Sequence, residues 1–290
     1  MLKFRIRLEE VKMKKINAIG LAALILLFGC AKKENVIKIG MAVPLTGDQA
    51  AIGQDEKNAV ELAFEEINAE GGVLGKKIRL VAMDDKADPK EAVNIARRFA
   101  GDRDILAIIG HLNSGCTIAA SKVYNEADLA MITPSATNPE ITRQGFKNVF
   151  RACTTDAAQG RVAGRFAAIN LKRKKIAVLH DKTQYGQGLA EEFVKAAKEN
   201  KAEIAMFEGI TKGEMDYTAI ASKIKALKPD MVYFGGMYPE GSLLVKQMRD
   251  LNIKAVLLGG DGLYAPERLG AQREKVRNLI LVVPRSRSSR

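Results

Sequence analysis

The chain is poor in the side chains on which metal centres and many active sites depend. Its 290 residues include two histidines, three cysteines and no tryptophan. The spacing of Cys116 and Cys153 matches no metal site, and neither His111 nor His180 has a partner at the spacing of a catalytic triad. We therefore expect no metal, two free and partly buried thiols, and two structural histidines.

Motifs for nucleotide and acyl chemistry are also missing. The sequence has no G-x-S-x-G elbow and no GxxxxGK[ST] loop in the right context. Tyr185-Gly186-Gln187-Gly188 is only a fragment of GxGxxG. The carboxylates of Asp84, Asp85 and Asp88 lack the spacing of a calcium loop, so helix capping and solvation at the edge of the fold explain them better. The sequence predicts neither catalytic residues nor a cofactor.

Acidic runs are absent, and the formal net charge is +12. Part of it comes from the basic N-terminus. The remaining Lys and Arg residues are spread over predicted helices and interleaved with Glu, which is typical of a solvated surface. We expect no nucleic-acid partner.

One long apolar run stands out near the N-terminus. Met13–Cys30 reads MKKINAIGLAALILLFGC, with a basic start and an apolar stretch too short to span a membrane comfortably. Its end resembles a bacterial lipobox. We interpret residues 1–29 as a signal peptide with its true start at Met13, Cys30 as the lipidated residue, and residues 30–35 as a linker anchored to the membrane outside the cytoplasm. A plain cleaved signal with an incidental cysteine is the alternative.

From Val36 onward, short apolar runs alternate with amphipathic helical patterns, which indicates βαβ units. The pattern predicts an α/β fold with two Rossmann-like lobes, each with a parallel central sheet, joined by a hinge. The N-terminal lobe covers residues 36–153 and the C-terminal lobe residues 154–283. Helices are predicted, among others, over 55–68, 89–100 with Asp88 as N-cap, 117–125, 188–200 and 240–251.

The loops that follow two predicted strands, Ile105–Ile109 and Leu129–Ile132, are rich in hydroxyl groups. Parallel sheets bind ligands at the carboxyl ends of their strands, so Ser114, Ser135 and Thr137 should converge on one crevice. Ser114 also precedes a helical pattern, which makes it a plausible N-cap and a donor to an anion. The sequence predicts a binding site for a small polar molecule here.

The last residues follow neither a strand nor a helix pattern. The apolar run Leu279–Val283 gives way to an irregular basic tail at 284–290. We expect either a truncated end, which leaves the N-terminal lobe incomplete and part of a buried sheet face exposed, or a patch for an anionic partner.

Six sequence runs together resemble one family, the branched-chain amino acid (Leu/Ile/Val) substrate-binding proteins of ABC transporters, with a type I periplasmic-binding fold. The resemblance covers about Val36 to Val283. The runs are IGHLNSG (109–115), TPSATNPEIT (133–142), HDKTQYGQGLA (180–190), FEGITKGEMDY (207–217), VYFGGMYPE (232–240) and LGGDG (258–262).

The resemblance implies a ligand site in the cleft between the lobes. Ser114 and Thr137 would hold the carboxylate of an amino acid, with Ala136 in the same loop. The ammonium would be held by the backbone carbonyl of Ser135, by Thr137 and by Asp261, since charge-assisted hydrogen bonds in a closed cleft are strong. Tyr185 would close over the ligand.

Several positions depart from the family pattern. Many members have Glu at the position of Asp261. The apolar end of the pocket would lie near Ile52, where some relatives carry Trp, and near Met237, where some carry Tyr. Ala87 and Asn113 stand where some relatives have a disulfide.

The resemblance implies a lipid-anchored, extracytoplasmic protein that captures an aliphatic amino acid by hinge closure and delivers it to the permease subunits of an ABC transporter. A ligand-binding sensor for amides or other small molecules is one alternative. Another is a truncated, non-functional fragment, because the family continues past the equivalent of Pro284. An enzyme would require Cys116 and His180 to meet in the cleft.

Overall fold

A computed structural model describes residues 36–264 and 279–281. The predicted signal peptide, Cys30, the linker at 30–35 and the tail at 284–290 lie outside the described residues. The strands are β1 Val36–Val43, β2 Lys77–Asp84, β3 Ile105–Gly110, β4 Ala130–Thr133, β5 Val149–Arg151, β6 Lys175–His180, β7 Glu203–Gly209, β8 Met231–Gly235, β9 Val256–Gly259 and β10 Leu279–Leu281. The helices are α1 Ala50–Ala69, α2 Pro89–Gly101, α3 Ser114–Glu126, α4 Glu140–Arg143, α5 Asp156–Arg165, α6 Gln184–Glu199, α7 Thr218–Leu227 and α8 Tyr238–Asp250.

The described strands form two five-stranded sheets, in the orders β2-β1-β3-β4-β5 and β10-β9-β8-β6-β7. Neighbours such as β1 and β3, or β6 and β8, pair in parallel. The chain crosses from the first sheet to the second between β5 and α5, and the predicted lobe boundary falls in this connection. The two parallel sheets predicted from the sequence are present.

The first sheet packs against α2 and α3 around Phe99, Ile108 and Tyr124, each almost fully buried. Its opposite face is less covered, because Ile132 and Phe150, which are paired across β4 and β5, remain about half exposed.

The second sheet has its own core. The Phe193 ring stacks on Tyr233 with centroids 3.7 Å apart. Helix α5 approaches α6 closely because Gly160 and Gly164 carry no side chain: a Cβ at Gly164 would lie 2.7 Å from the Phe193 carbonyl oxygen. The cluster that contains Phe193 and Tyr233 also contains Met41 from the first sheet, and both sheets belong to one compact unit that begins at Ile37.

Helices α1, α3, α6 and α8 begin earlier than predicted, and the difference is largest for α1 and α6. Helix α1 begins at Ala50 instead of residue 55, because Gly47, with φ of +80°, turns the chain and its carbonyl accepts from Ala50 N. Helix α6 begins at Gln184 instead of residue 188, because the Thr183 hydroxyl caps it by accepting from Gly186 N. The residues interpreted as a fragment of GxGxxG are therefore its first turn, which contains Tyr185.

The N-cap predicted for α2 is confirmed. Asp88 has extended backbone geometry, and its carboxylate accepts from Lys90 N at 2.7 Å and from Glu91 N at 3.0 Å. Pro89 is the first helical residue, and at this position the helix makes no hydrogen bond that would need a backbone N–H.

We predict that Asp88→Ala lowers the free energy of unfolding by about 1 kcal/mol, the usual effect of deleting an N-cap. Urea denaturation monitored by circular dichroism measures it. Glu65→Ala, on the exposed side of α1, is the control and should change stability by less than about 0.5 kcal/mol. Equal effects of the two substitutions would contradict the capping role.

Candidate functional site

A cavity of about 340 Å³ lies between the two sheets, within the size range of small-molecule sites. Both halves of the fold contribute to its wall, through α1 and the loops after β3 and β4 on one side and through α6, α8 and the loop after β9 on the other. Its lining residues are Ala51, Ile52, Asp55, Leu112, Asn113, Ser114, Ser135, Tyr185, Met237, Tyr238, Asp261, Gly262 and Tyr264.

Most of the residues predicted for the site meet in this cavity, although they come from distant parts of the sequence. Those in the wall are Ile52, Ser114, Ser135, Tyr185, Met237 and Asp261. Ala136 and Thr137 are not part of the wall. Both are buried, and the Thr137 hydroxyl has no hydrogen-bond partner among the described residues.

Thr133, at the end of β4, ties together the two hydroxyl-bearing loops. Its hydroxyl donates to the His111 carbonyl oxygen at 2.8 Å and accepts from Ala136 N at 2.9 Å. The Ser114 hydroxyl accepts from Asn138 N at 3.2 Å. These bonds hold the loops side by side at the carboxyl edge of the first sheet.

The prediction that Ser114 is the N-cap of its helix is wrong. Asn113 has the extended capping geometry, but no side chain bonds the first turn, and Ser114 is itself the first helical residue. Its hydroxyl is used to bind the neighbouring loop instead. The first turn of α3 therefore faces the cavity through Ser114, and a helix N-terminus favours an anion.

The second half of the wall centres on Asp261. Its Oδ1 accepts from the Tyr185 hydroxyl at 2.7 Å, and its backbone N–H donates to Gln159 Oε1 at 2.8 Å. Gly262 N donates to the Tyr185 oxygen at 2.8 Å. Burial raises the pKa of Tyr185 well above its usual value, and the Asp261 charge adds to this rise, so the phenol stays neutral and acts as the donor.

Two hydrogen bonds connect the halves of the cleft directly. The Tyr238 hydroxyl donates to the Asp48 carbonyl oxygen at 2.5 Å, and Asn138 Nδ2 donates to the Gln184 carbonyl oxygen at 2.7 Å. Each bond joins the first half of the fold to the second, so the cavity is held between closed walls.

Asp85 and His111 form a buried pair that the sequence did not reveal. His111 Nδ1 lies 2.7 Å from Asp85 Oδ2, and its Nε2 lies 3.2 Å from the Tyr124 hydroxyl. Asp85 is fully buried, so the solvation expected for it is wrong. A spacing of 26 residues gives no local signal, and only the pairing of parallel strands brings the two side chains together.

The thiols are free, as predicted. Cys116 is enclosed in the first core, where burial raises the pKa of its thiol well above the usual value. His180 lies at the end of β6, where its ring packs 5.0 Å from Phe207 and Nδ1 accepts from Lys182 N. The two side chains thus occupy different environments.

Asp156, which the sequence analysis missed, lies behind Thr137. It is fully buried at the start of α5, and neither carboxylate oxygen has a partner among the described residues. Burial raises the pKa of Asp156 to about 7; the Thr137 hydroxyl partly opposes the rise, and the charge of Asp261 adds to it.

Other residues in the wall were also missed, namely Asp55, Leu112, Asn113, Tyr238 and Tyr264. Asp55 lies one turn from Ile52 on α1, and Tyr238 follows Met237, so neighbours of predicted residues account for much of the wall. The sequence did not predict that Asp55 faces the cavity, because α1 was predicted to begin at that residue.

The arrangement has a clear chemical character. Hydroxyls and a helix N-terminus lie on the first side, Asp261 lies on the second, and apolar walls such as Ile52, Leu112 and Met237 separate them. Among the described residues, the charged side chains in the lining are those of Asp55 and Asp261, and no Lys or Arg lines the wall. Such a cavity suits a small molecule with an anionic end, a cationic end and an apolar body.

Two kinds of feature are absent from residues 36–264 and 279–281. No group of three or more acidic, histidine or cysteine side chains in this part of the chain is arranged to hold a metal ion. Within the same residues, no helix combines the length and the apolar character needed to cross a membrane.

Residues 36–288 match the sequence profile of a family described as periplasmic binding protein. The chain belongs to the periplasmic binding protein family. Membership implies a location outside the cytoplasm. The type I fold expected from the sequence is confirmed by solved structures of the family.

Two of those structures are similar over most of the chain. A branched-chain amino acid transporter substrate-binding protein, LivJ from Streptococcus pneumoniae in complex with isoleucine, has a TM-score of 0.77 and 30% identity, covering 85% of this chain and 70% of that one. The leucine-binding protein LivK from Thermotoga maritima has a TM-score of 0.78 and 34% identity, covering 83% and 67%.

Curated relatives are more similar in sequence. The Leu/Ile/Val-binding protein homolog 1 of Brucella abortus is 42% identical over 87% of this chain and 67% of its own length. Homolog 2 of the same organism is 44% identical over 80% of this chain and 62% of its own length. This periplasmic binding protein therefore spans about two thirds of the length of these relatives.

We predict that the periplasmic binding protein loses stability as pH rises from about 4 to 7, in part through Asp156. Its carboxyl is protonated when folded but ionised when unfolded over this range, so the unfolded state binds fewer protons and stability falls with pH.

Asp156→Asn, which keeps the shape without the charge, should remove this component, up to about 4 kcal/mol. Urea denaturation of both proteins at several pH values measures the difference. The exposed Glu65→Gln is the control. A stability difference between wild type and Asp156→Asn that does not vary with pH would contradict the prediction.

Proposed function

We propose that this chain is the substrate-binding component of an ABC transporter for branched-chain or similar aliphatic amino acids. The cavity at the carboxyl edges of two parallel sheets carries the proposal, because it combines hydroxyls, an acidic group and apolar walls. The names of the relatives support it, since they describe Leu/Ile/Val-binding proteins and a transporter protein in complex with isoleucine.

In the proposed site, Ser114 and the N-terminus of α3 bind the ligand carboxylate, with Ala136 and Thr137 behind them. The Ser135 carbonyl and Asp261 bind the ammonium. Because the Tyr185 hydroxyl and Gly262 N both donate to Asp261 Oδ1, the carboxylate is fixed in direction before a ligand arrives. Preorganisation of this kind reduces the ordering cost of binding.

Apolar side chains favour an aliphatic ligand body. Ile52 and Met237 lie on opposite sides of the cleft and line the same cavity as Leu112. Burying a branched side chain among them contributes about 25 cal/mol per Å² of apolar surface. Closure then follows from contacts that a ligand makes with both halves at once.

The proposed role is binding without catalysis. The enzyme alternative needed Cys116 and His180 together, but the Cys116 thiol is buried in the first core and His180 packs on Phe207. A thiol whose pKa is raised by burial is a poor nucleophile. The sensor alternative has the same binding step and differs in the partner protein, which would be a receptor or regulator that responds to the bound ligand.

We predict that leucine, isoleucine and valine bind the purified full chain more tightly than alanine does. The methyl side chain of alanine would leave the apolar part of the cavity unfilled. Isothermal titration calorimetry with a panel of amino acids measures it. Asp261→Asn should weaken leucine binding at least about tenfold, since a hydrogen bond to a charged group contributes roughly 1.5–3 kcal/mol.

Glu65→Gln, far from the cavity on the exposed side of α1, is the matched control and should bind like the wild type. The absence of heat with every amino acid in the panel would overturn the proposed function. Unchanged binding by Asp261→Asn would overturn the assignment of the ammonium site alone.

We also propose that the protein is tethered to a membrane through lipid on Cys30. The sequence Leu27-Phe28-Gly29-Cys30 after a basic and apolar leader supports this. Labelled palmitate should be incorporated into the wild type expressed in a bacterium, and Cys30→Ser should abolish the label. Equal labelling of both proteins would contradict the anchor, and Cys153→Ser is the control.

A further inference from the structure

The lining of the cavity differs between its deep end and its opening to solvent. The buried part of the lining includes Leu112, Ser114, Tyr185 and Met237. The solvent-exposed part consists of Ala51, Asp55 and Tyr264. These three exposed residues therefore mark the mouth of the cavity.

Asp55 places a carboxylate at this mouth. It lies three residues after Ile52 on α1, so the two side chains are neighbours on one face of the helix, and both line the cavity. The cation nearest to it along α1, Lys57, is paired with Glu61 at 2.6 Å. Asp55 itself has no ion pair and no side-chain hydrogen bond among the described residues.

Tyr264 lies at the mouth on the opposite half of the cleft. It follows Asp261 by three residues, and its backbone N–H donates to the Asp261 carbonyl oxygen at 2.8 Å. The residue is 52% exposed, so part of the ring faces solvent at the opening. The face of an aromatic ring attracts a cation, as the Asp55 carboxylate does.

The proposed orientation of the ligand directs its side chain towards this mouth. The α-carboxylate lies at Ser114 and the α-ammonium at Asp261, and the apolar contacts come from Ile52 and Met237. A side chain that is longer than these contacts reaches the solvent-exposed part of the lining. An aliphatic stem with a charged end suits such a path, because the stem is buried while the end remains near water.

The charges of the lining favour a cation at that end. Its two carboxylates are those of Asp55 and Asp261, and no Lys or Arg lines the cavity among the described residues. An amino acid with a neutral side chain brings one positive charge, which pairs with Asp261 and leaves Asp55 without a counter-ion. A terminal cation on the side chain pairs with Asp55, whereas a terminal carboxylate is repelled by it.

We propose that Asp55 and Tyr264 form a side-chain subsite at the mouth of the cleft, which binds the cationic end of an amino acid with an aliphatic stem. Lysine and ornithine are amino acids of this class. The inference rests on the proposed function and extends its substrate class from aliphatic to cationic amino acids. Asp55 is then a residue that determines specificity for the charge of the side chain.

The test compares lysine with norleucine, which has the same four-carbon stem and lacks the terminal ammonium. Isothermal titration calorimetry on the full chain at low salt measures the affinity for lysine divided by that for norleucine. Asp55→Asn should lower this ratio about fivefold, the upper end for a partly exposed ion pair. It should raise the affinity for glutamate relative to glutamine by a similar factor.

The ratio separates a specificity role from a structural one. If Asp55 served only to stabilise α1, its replacement would change the affinities for lysine and norleucine by the same factor. Glu65→Gln, which removes a charge from the exposed side of the same helix, is the matched control and should keep the wild-type ratio. Tyr264→Leu should lower the ratio about twofold and Tyr264→Phe should keep it, because only the ring attracts the cation.

Salt gives a readout that needs no variant, so the test stands even where Asp55→Asn fails to melt cooperatively. Raising the ionic strength from about 0.01 M to about 1 M screens the pair, and the wild-type ratio of lysine to norleucine should fall. The formal net charge of +12 acts in the opposite direction, because salt screens its repulsion of lysine.

The outcomes distinguish this inference from the proposed function. Leucine binding without lysine binding, a ratio that Asp55→Asn leaves at the wild-type value, or a wild-type ratio that does not fall with salt would overturn the subsite alone. A wild type that binds neither leucine, norleucine nor lysine would overturn the proposed function, and the subsite with it.

Discussion

The Asp261 carboxylate is the constraint on which the site depends, because no Lys or Arg lines the wall in the part of the chain that the structure describes. Tyr185 and Gly262 bond to it and Gln159 holds its backbone, but no ion pair neutralises it among the described residues. A buried or partly buried charge without a counter-ion is unfavourable. The cleft therefore favours a ligand that brings a positive charge, and the same ligand can bring its negative charge to the hydroxyls and helix N-terminus opposite. The fold makes this possible because parallel strands end at a common edge in both sheets.

Glu56 Oε2 and both carboxylate oxygens of Asp156 are buried and have no hydrogen-bond partner among the described residues. Burial raises the pKa of each group to about 7. A wall made only of aliphatic residues would be more stable, since each of these acids has an oxygen without a partner. Such groups at a cavity are typical of sites where function takes precedence over stability.

Sequence patterns were sufficient for the layers of the fold, because alternating apolar runs and amphipathic helices depend on local spacing. They also predicted that Ser114 and Ser135, which follow strands, lie in one crevice, and both line the cavity, whereas Asp261 was predicted only from the resemblance to the family. They failed where the decisive contact joins distant segments. Asp85 and His111 meet only because β2 and β3 both flank β1, and Asp55 was missed because the start of α1 is set by the turn at Gly47 and not by the apolar period. Even for Ser114 the pattern suggested the wrong bond, because its partner, Asn138 N, comes from another strand end.

The hydrogen bonds that join the two halves of the cleft determine how much of the free energy of closure a ligand must supply. Tyr238 donates to the Asp48 carbonyl and Asn138 donates to the Gln184 carbonyl; because the acceptors are backbone groups, these contacts are the same for every ligand. Together they contribute on the order of 2 kcal/mol, less than the roughly 5.5 kcal/mol needed to drive a two-state equilibrium from almost fully open to almost fully closed. Closure therefore requires ligand contacts with both walls. Selectivity then comes from the groups that touch the ligand.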